Sequence, residues 1–215
     1  MLRASTFAFV FVLLSQVVFS QDTSLREVKE AFDNANIPED IDLPFDPRFL
    51  LEVSFSQTSG DEIVLKAGVQ LPRDKTVGPP SFTIVGRGVS DGPFVIAVVD
   101  PDAPTPQNPT SAQVRQFLGG NFEGDCDSSL LSPGIVVLKN TTAAVTNWRQ
   151  PAPPAGSDAH RYIFLAFNQP QGFNDQTVVG ATTPITMFSI KEFSEKVGLG
   201  DPIAGTFMLV APDPA

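Results

Sequence analysis

The sequence predicts a mainly β protein, with strands that pair mostly antiparallel and with few helices. Two observations support this prediction. Short apolar segments recur along the chain and are separated by turns rich in glycine and proline. Apolar residues at helical spacing stand out in only two places, soon after residue 21 and again near residue 190. No internal repeat or linker is evident, so we expect one domain.

The first twenty residues have the pattern of a secretory signal peptide. Arg3 supplies the positive charge, Phe7 to Leu14 form a short apolar core, and Val18-Phe19-Ser20 suits cleavage before Gln21. An uncleaved anchor is the alternative, but the apolar run is too short to span a bilayer. We therefore expect no integral membrane segment in the mature protein. Its destination is the exterior, or a vacuole-like compartment reached through the secretory route.

The sequence of residues 21–48 predicts a helix followed by a proline-rich extended segment, which we call the strap. Ser24 to Glu27 form a capping box, and Val28 and Phe32 follow at helical spacing. The helix should end near Asn34 or Asn36, and the segment Ile37 to Pro47 should cross the surface in an extended form. We favour a helix that packs on its own domain. The alternative is an arm that is offered to a partner.

Residues 49–215 should form the main domain. Its predicted strands are Leu51–Phe55, Ile63–Leu71, Phe82–Val85, Phe94–Val99, Phe117–Phe122, Ile135–Leu138, Tyr162–Phe167 and Ile203–Val210. Apolar residues from Met187 to Val197 keep helical spacing, and Gly198 and Gly200 should close that helix.

Charge and cysteine content exclude several classes of protein. The net charge is −10, which disfavours binding to nucleic acid and to anionic membranes. Cys126 is the only cysteine, so the chain can form no internal disulfide, and two flanking acids oppose a reactive thiolate there. Asn140-Thr141-Thr142 is an N-glycosylation sequon, which secretion would make available.

One stretch combines a buried strand with two fixed acids. Phe94 to Val99 is almost continuously apolar, which is typical of a strand buried on both faces. Asp100 and Asp102 follow directly, and Pro101 and Pro104 stiffen the turn that carries them. The simplest interpretation is a strand that ends in a turn, but carboxylates held at a rim also suit a binding site.

A second stretch places the only histidine at a similar rim. His160 stands where a loop containing Pro153 and Pro154 meets the apolar strand from Tyr162 to Phe167. A lone histidine is more often structural, but Arg161 beside it adds a second donor for anionic oxygens. The two rims together would form a small polar pocket.

Enzyme and metal signatures are weak by comparison. The sequence has no Gly-x-Ser-x-Gly elbow and no phosphate-binding or dinucleotide-binding loop. Ser157 is near His160, but the spacing does not require contact. Asp100, Asp102 and His160 could in principle hold a divalent metal, although nothing in their spacing demands one. We expect a protein that is not an enzyme and that uses no cofactor.

These two motifs together resemble the phosphatidylethanolamine-binding protein family, most closely its secreted fungal branch. The resemblance is carried by Asp100 to Pro104, by Pro153 to Tyr162 and by Pro202 to Thr206, and it covers the chain from about Phe49. It implies a large central antiparallel sheet packed with a smaller sheet and flanked by a few short helices. The helix and strap also resemble those of a member that inhibits a carboxypeptidase.

The resemblance implies a pocket for phosphate, carboxylate or a phospholipid head group. One wall would be Asp100, Pro101, Asp102 and Pro104, and the other would be Pro153, His160 and Tyr162. Arg161 would pair with one of the two acids. The alternative function is inhibition of a serine carboxypeptidase through the N-terminal arm and the pocket-side surface. For either function we expect a monomer that binds no nucleic acid.

The chain departs from the family pattern at Gln116, where many members carry a further histidine. Gln116 can hydrogen-bond a phosphate oxygen but cannot carry charge. The neighbouring Arg115 would restore the charge if its side chain pointed into the pocket.

Overall fold

Nine strands of the described chain form one sheet. The computed structural model describes residues 21–125 and 134–214. The strands are β1 (Leu50–Ser56), β2 (Glu62–Val64), β3 (Val69–Gln70), β4 (Ser81–Val85), β5 (Phe94–Asp100), β6 (Val114–Gly124), β7 (Ile135–Asn140), β8 (His160–Asn168) and β9 (Ala204–Val210). Their order across the sheet is β2-β1-β4-β7-β6-β5-β8-β9-β3. Neighbouring strands run antiparallel except β3 and β9, which are parallel.

Helices are few and short, as predicted. They are α1 (Leu25–Asn34), α2 (Ile37–Asp40) and α3 (Ile190–Val197), and single 3₁₀ turns cover Arg73–Thr76 and Phe173–Asp175.

The sheet curls so that one part covers a face of the other. Strand β7 pairs with β6 only near the end of β6, from Phe122 to Gly124, and this short junction lets the sheet turn. Rings from the two parts then meet, with Phe82 of β4 lying 6.5 Å from Phe164 of β8. The fold class is confirmed, and the predicted smaller sheet is the β2-β1-β4-β7 part of the continuous sheet.

Strand β5 separates two hydrophobic cores. All seven of its residues are buried, as its continuous apolar sequence predicts. Side chains alternate along a strand, so Phe94, Ile96 and Val98 enter the core between the two parts of the sheet. The residues between them enter a second core, which the helices and the strap cover.

The N-terminal helix packs on the molecule's own sheet. Ser24 caps it by accepting a hydrogen bond from the Glu27 amide (3.3 Å). Phe32 is fully buried, stacks on Phe45 of the strap with ring centres 3.8 Å apart, and meets Phe207 of β9 edge-on. Gly205 permits this contact, because a Cβ atom there would lie 2.9 Å from the Phe45 ring.

Three predicted elements differ in detail. The segment Ile63–Leu71 is not one strand: it breaks at Gly68, whose φ of +81° is left-handed, and its second half crosses to pair with β9. The strap begins as the helical turn α2, because Pro38 fits the first turn of a helix. Met187 lies outside α3, which starts only after its N-cap Ser189. The predicted closure at Gly198 is confirmed by its left-handed C-cap.

Some predictions lie outside the described residues. These are the signal peptide at residues 1–20 and the lone Cys126. Within residues 21–125 and 134–214, no helix has both the length and the apolarity needed to cross a bilayer.

Candidate functional site

The Asp-Pro-Asp turn is held by its own side chain. Asp100 ends β5, and its Oδ1 accepts a hydrogen bond from the backbone N–H of Asp102 (2.8 Å). Pro101 between them fixes the backbone for this Asx turn. Asp100 and Asp102 are 3% and 1% exposed, so the turn buries two carboxylates, and each needs a partner.

His160 is the partner of Asp100. Antiparallel pairing of β5 with β8 brings the start of β8 beside the end of β5, and His160 Nδ1 lies 3.0 Å from Asp100 Oδ2. On the other side of the ring, Nε2 lies 3.2 Å from the carbonyl oxygen of Pro104. Both atoms are acceptors, so the two contacts are satisfied together only when both ring nitrogens carry a proton. The contacts therefore fit an imidazolium.

The pKa of His160 agrees with this assignment. Burial by itself would lower the pKa of the imidazole. The hydrogen bond to Asp100 and the charges of Asp100 and Asp102 together outweigh burial, and the pKa is raised above its ordinary value of 6.5.

Ser157 contacts His160, and the sequence spacing did not reveal this contact. Its Oγ lies 3.0 Å from His160 Nε2, which completes the order serine, histidine, aspartate. In a catalytic triad the histidine accepts the serine proton. Here Ser157 Oγ lies 2.9 Å from the carbonyl oxygen of Asp158, to which it donates, so it accepts from the imidazolium. The arrangement thus lacks the free base that would activate Ser157 as a nucleophile.

Arg161 pairs with Asp102, as the sequence suggested. Its Nη2 donates to Asp102 Oδ1 (2.6 Å), and both its backbone N–H and its Nε donate to Oδ2 (2.7 and 3.0 Å). Its Nη1 donates to Asp40 of α2 (2.6 Å) and to the carbonyl of Ala35. Burial would lower the pKa of Arg161, but the two carboxylates raise it. Asp40 carries no signal in the sequence, because its partner is 121 residues away.

Tyr162 is fully buried behind the histidine. Its ring lies nearly parallel to that of His160, with centres 6.4 Å apart. Burial, and then the negative charge of Asp100, raise the pKa of the phenol, which therefore stays protonated. Pro153 is buried in the adjoining loop, whereas Pro104 is exposed.

Arg115 is not brought to this centre, and Gln116 is its neighbour in the chain. They lie together on β6 where its register with β5 shifts, and both are buried. In the described part of the chain, no hydrogen bond joins the Gln116 side chain to Asp100 or His160. Arg115 bonds instead to Thr146 Oγ1 (2.7 Å) and to backbone carbonyls of the segment before α3. The guanidinium is therefore bonded away from His160, and the condition under which Arg115 would supply charge to that pocket is not met.

The histidine is covered in this conformation. Its exposed fraction is 1%, and Ser157 and the Pro104 carbonyl occupy its outer nitrogen. A ligand could reach Nε2 only by displacing the Ser157 hydroxyl, which lies in a loop without regular structure.

Two further features considered from the sequence are the glycosylation sequon and a metal site. Asn140 is exposed at the end of β7, where its Oδ1 accepts a hydrogen bond from the Thr142 amide (2.8 Å). Among the described residues, no group of three acidic, histidine or cysteine side chains is close enough together to hold a metal ion.

The fold and the cluster of Asp100, Asp102, His160 and Arg161 at the strand ends together define a known class of protein. Residues 56–208 match the sequence model described as "Phosphatidylethanolamine-binding protein". The chain therefore belongs to the phosphatidylethanolamine-binding protein family, as its two motifs predicted.

Individual relatives agree with this membership. The chain is 26% identical over 163 residues to the Arabidopsis thaliana protein BROTHER of FT and TFL 1, covering 76% of this chain and 80% of that protein. It is 25% identical over 171 residues to the carboxypeptidase Y inhibitor of Saccharomyces cerevisiae, covering 66% and 74%. A crystal structure of carboxypeptidase Y inhibitor complexed with its cognate proteinase has the same fold, with a TM-score of 0.72 at 20% identity, covering 88% of this chain and 97% of that one.

Proposed function

We propose that this protein is a non-catalytic, secreted binding protein that holds a small anion at His160. Phosphate, a carboxylate or a phospholipid head group would accept a hydrogen bond from Nε2 in place of the Ser157 hydroxyl. The observation that carries the proposal is the placement of the His160 ring, whose Nδ1 lies 3.0 Å from Asp100 Oδ2 and whose Nε2 faces Ser157 and the loop.

The charges at the centre favour an anion over a cation. Each buried acid already has a cationic partner: Asp100 has His160, and Asp102 has Arg161. Neither carboxylate is therefore available to bind the ammonium of an ethanolamine group. In this proposal Asp100 acts as a positioning residue, which keeps the histidine charged.

A titration of the mature protein with inorganic phosphate and with O-phosphoethanolamine tests the proposal. We expect saturable binding, followed by heat or by amide shifts, which His160→Ala abolishes. Ser157→Ala should bind at least as tightly as the parent, because the ligand no longer has to displace a hydroxyl. Affinity should fall as the pH rises through the pKa of His160, because the donor on Nε2 is lost.

Two outcomes would contradict this function. One is the absence of saturable binding by the parent. The other is binding that His160→Ala leaves unchanged, which would place the anion elsewhere on the molecule.

Inhibition of a serine carboxypeptidase is a second candidate. It is favoured by the 25% identity to the yeast carboxypeptidase Y inhibitor, which spans 74% of that protein. The apolar face of α1 is unavailable for this purpose, since Val28 and Phe32 are 2% and 0% exposed. We therefore place the inhibitory contact on the pocket-side loops, where Pro104 and Pro154 are exposed.

Inhibition of carboxypeptidase Y by full-length mature protein tests this candidate. Pro154→Asp should weaken inhibition, whereas Leu25→Asp, a matched change on the exposed side of α1, should not. Equal loss in both variants would argue against the loop surface. A parent protein that leaves the enzyme fully active would exclude inhibition of this carboxypeptidase.

Secretion after signal-peptide cleavage and glycosylation of Asn140 are also part of the proposal. Expression of the whole chain in a secretory host should yield a protein that starts at Gln21 and carries sugar on Asn140. N-terminal sequencing, and a mass decrease after enzymatic deglycosylation that Asn140→Gln abolishes, would check both features.

A further inference from the structure

Arg115 is a buried cation without an acidic partner. It is 1% exposed, and within residues 21–125 and 134–214 no carboxylate lies within ion-pair distance of it. Burial lowers the pKa of its guanidinium, and no nearby acid opposes that effect. Buried charges in proteins are normally paired, because desolvation of a lone charge is costly.

Three of the five N–H groups of the Arg115 guanidinium are hydrogen-bonded to described residues. Its Nε bonds to Thr146 Oγ1 (2.7 Å), its Nη2 to the Thr183 carbonyl (3.2 Å) and its Nη1 to the Pro184 carbonyl (3.3 Å). Its carbon also lies 5.0 Å from the centre of the Phe188 ring. A guanidinium has five N–H groups, and each terminal nitrogen here still has one to offer.

Arg115 forms part of the wall of a cavity of about 440 Å³. Much of the remaining wall is apolar and includes Val179, Phe188 and Phe193, while Val178 and Met187 are exposed at its edge. A mostly apolar cavity of this size with one buried polar anchor is typical of a site for a small molecule.

The charges around the cavity favour a monoanion. Arg115 and Lys196 are positive, and Glu192 is negative and pairs with Lys196 (3.0 Å). The cavity therefore carries about one net positive charge, provided by Arg115. The N-terminus of α3 adds few free donors for an anion in the cavity. Its Ile190 and Glu192 amides are already bonded to Gln113 and Ser189. A carboxylate suits the planar fork of arginine, and the apolar wall suits a hydrocarbon chain.

We infer that this cavity is a binding site for a monocarboxylate with an apolar chain, such as a medium-chain fatty acid. It is separate from the His160 centre. Asp100 continues the alternation of Val98 toward the core between the two parts of the sheet, whereas Arg115 pairs with Val99, which faces the second core. The two sites therefore lie on opposite faces of the sheet.

A calorimetric titration of the mature protein with octanoate tests the inference. We expect saturable binding that includes one site which persists in His160→Ala, where the carboxylate site proposed at His160 is removed. Arg115→Met should weaken it about tenfold or more, because a charge-assisted bidentate contact is lost. Acetate, which lacks the chain, and 1-octanol, which lacks the charge, should both bind more weakly. Arg149→Met, a matched change at an exposed arginine, should bind like the parent.

Failure of the parent to bind octanoate, or equal binding by Arg115→Met, would overturn the inference. If Arg115→Met does not fold, Val178→Trp decides the matter. This change fills the cavity from its exposed edge and leaves Arg115 intact, so octanoate binding should be lost. Parent-like affinity in Val178→Trp would likewise overturn the inference.

Discussion

At the scale of single residues, two buried ion pairs fix the candidate site. Asp100 with His160 and Asp102 with Arg161 join the end of β5 to the start of β8. Each acid would be costly to bury alone, and each cation is anchored by several hydrogen bonds. The pairs hold the two rims in one arrangement, and they determine the charge state of the histidine.

Replacement of Asp100 by asparagine should lower the pKa of His160. The amide keeps the shape but removes the charge that offsets burial. His160 is the only histidine, so its ring proton gives a single NMR titration curve. An unchanged pKa would show that Asp100 does not set the charge of the ring.

The same pair should make stability depend on pH. Because the folded pKa of His160 lies above its ordinary value of 6.5, protonation stabilises the native state. This contribution is fully present below pH 6.5 and is lost as the pH rises through the folded pKa. Urea unfolding of the parent and of Asp100→Asn at several pH values should show this loss in the parent only.

Arg161→Met should destabilise the protein by about 3–5 kcal/mol, because it leaves the carboxylate of Asp102 buried and unpaired. Arg149→Met, at an exposed arginine, is the control and should have little effect. Chemical unfolding measures both variants. A small change in Arg161→Met would mean that Asp102 is protonated or solvated when its partner is removed.

At the scale of secondary-structure elements, α1 belongs to the layer of helices and strap that packs on one face of the sheet. Its buried face contacts the strap and β9, while Leu25 is 38% exposed. Sequence spacing located this face, but it could not decide between packing on the domain and exposure to a partner. That choice depended on contacts with Phe45 of the strap and with Phe207, which lies 175 residues after Phe32.

Phe32→Ala should therefore destabilise the protein by about 3–5 kcal/mol, because it leaves a cavity between Phe45 and Phe207. Leu25→Ala on the same helix should change stability much less. Thermal unfolding of the two variants compares them directly. Similar small effects in both would mean that the helix is detached in solution.

Local sequence patterns predicted most strands, the N-cap of α1, the C-cap of α3 and the two motifs of the site. They failed where the deciding contact was distant. Nothing near Ile63–Leu71 indicates that its second half pairs with β9. Likewise, the link between Ser157 and His160 depends on how a loop folds back, and the direction of Arg115 depends on a register shift in β6.

At the scale of the whole molecule, the two parts of the sheet share one core. Trp148 is partly buried and packs against that core, with its ring centre 6.1 Å from that of Phe164 and 5.6 Å from that of Phe55. The N-terminal segment is joined to the same strands from the other face. We therefore propose that residues 21–48 and 49–215 unfold together, although their sequences differ in character.

Two probes can test this cooperative behaviour. The fluorescence of Trp148, the only tryptophan, reports the first core, and the Hε1 signal of His160 reports the strand ends. Their urea transitions should coincide. An earlier transition in either signal would reveal a unit that unfolds separately.

The position of β9 has a consequence for how the protein is made. The ribosome produces α1, at about 5–20 residues per second, long before β9, the strand that carries the Phe207 partner of Phe32. Until β9 is made, Phe32 lacks that partner. The apolar face of α1 is thus fully covered only after β9 has been translated, and chaperones would meet that face throughout the interval.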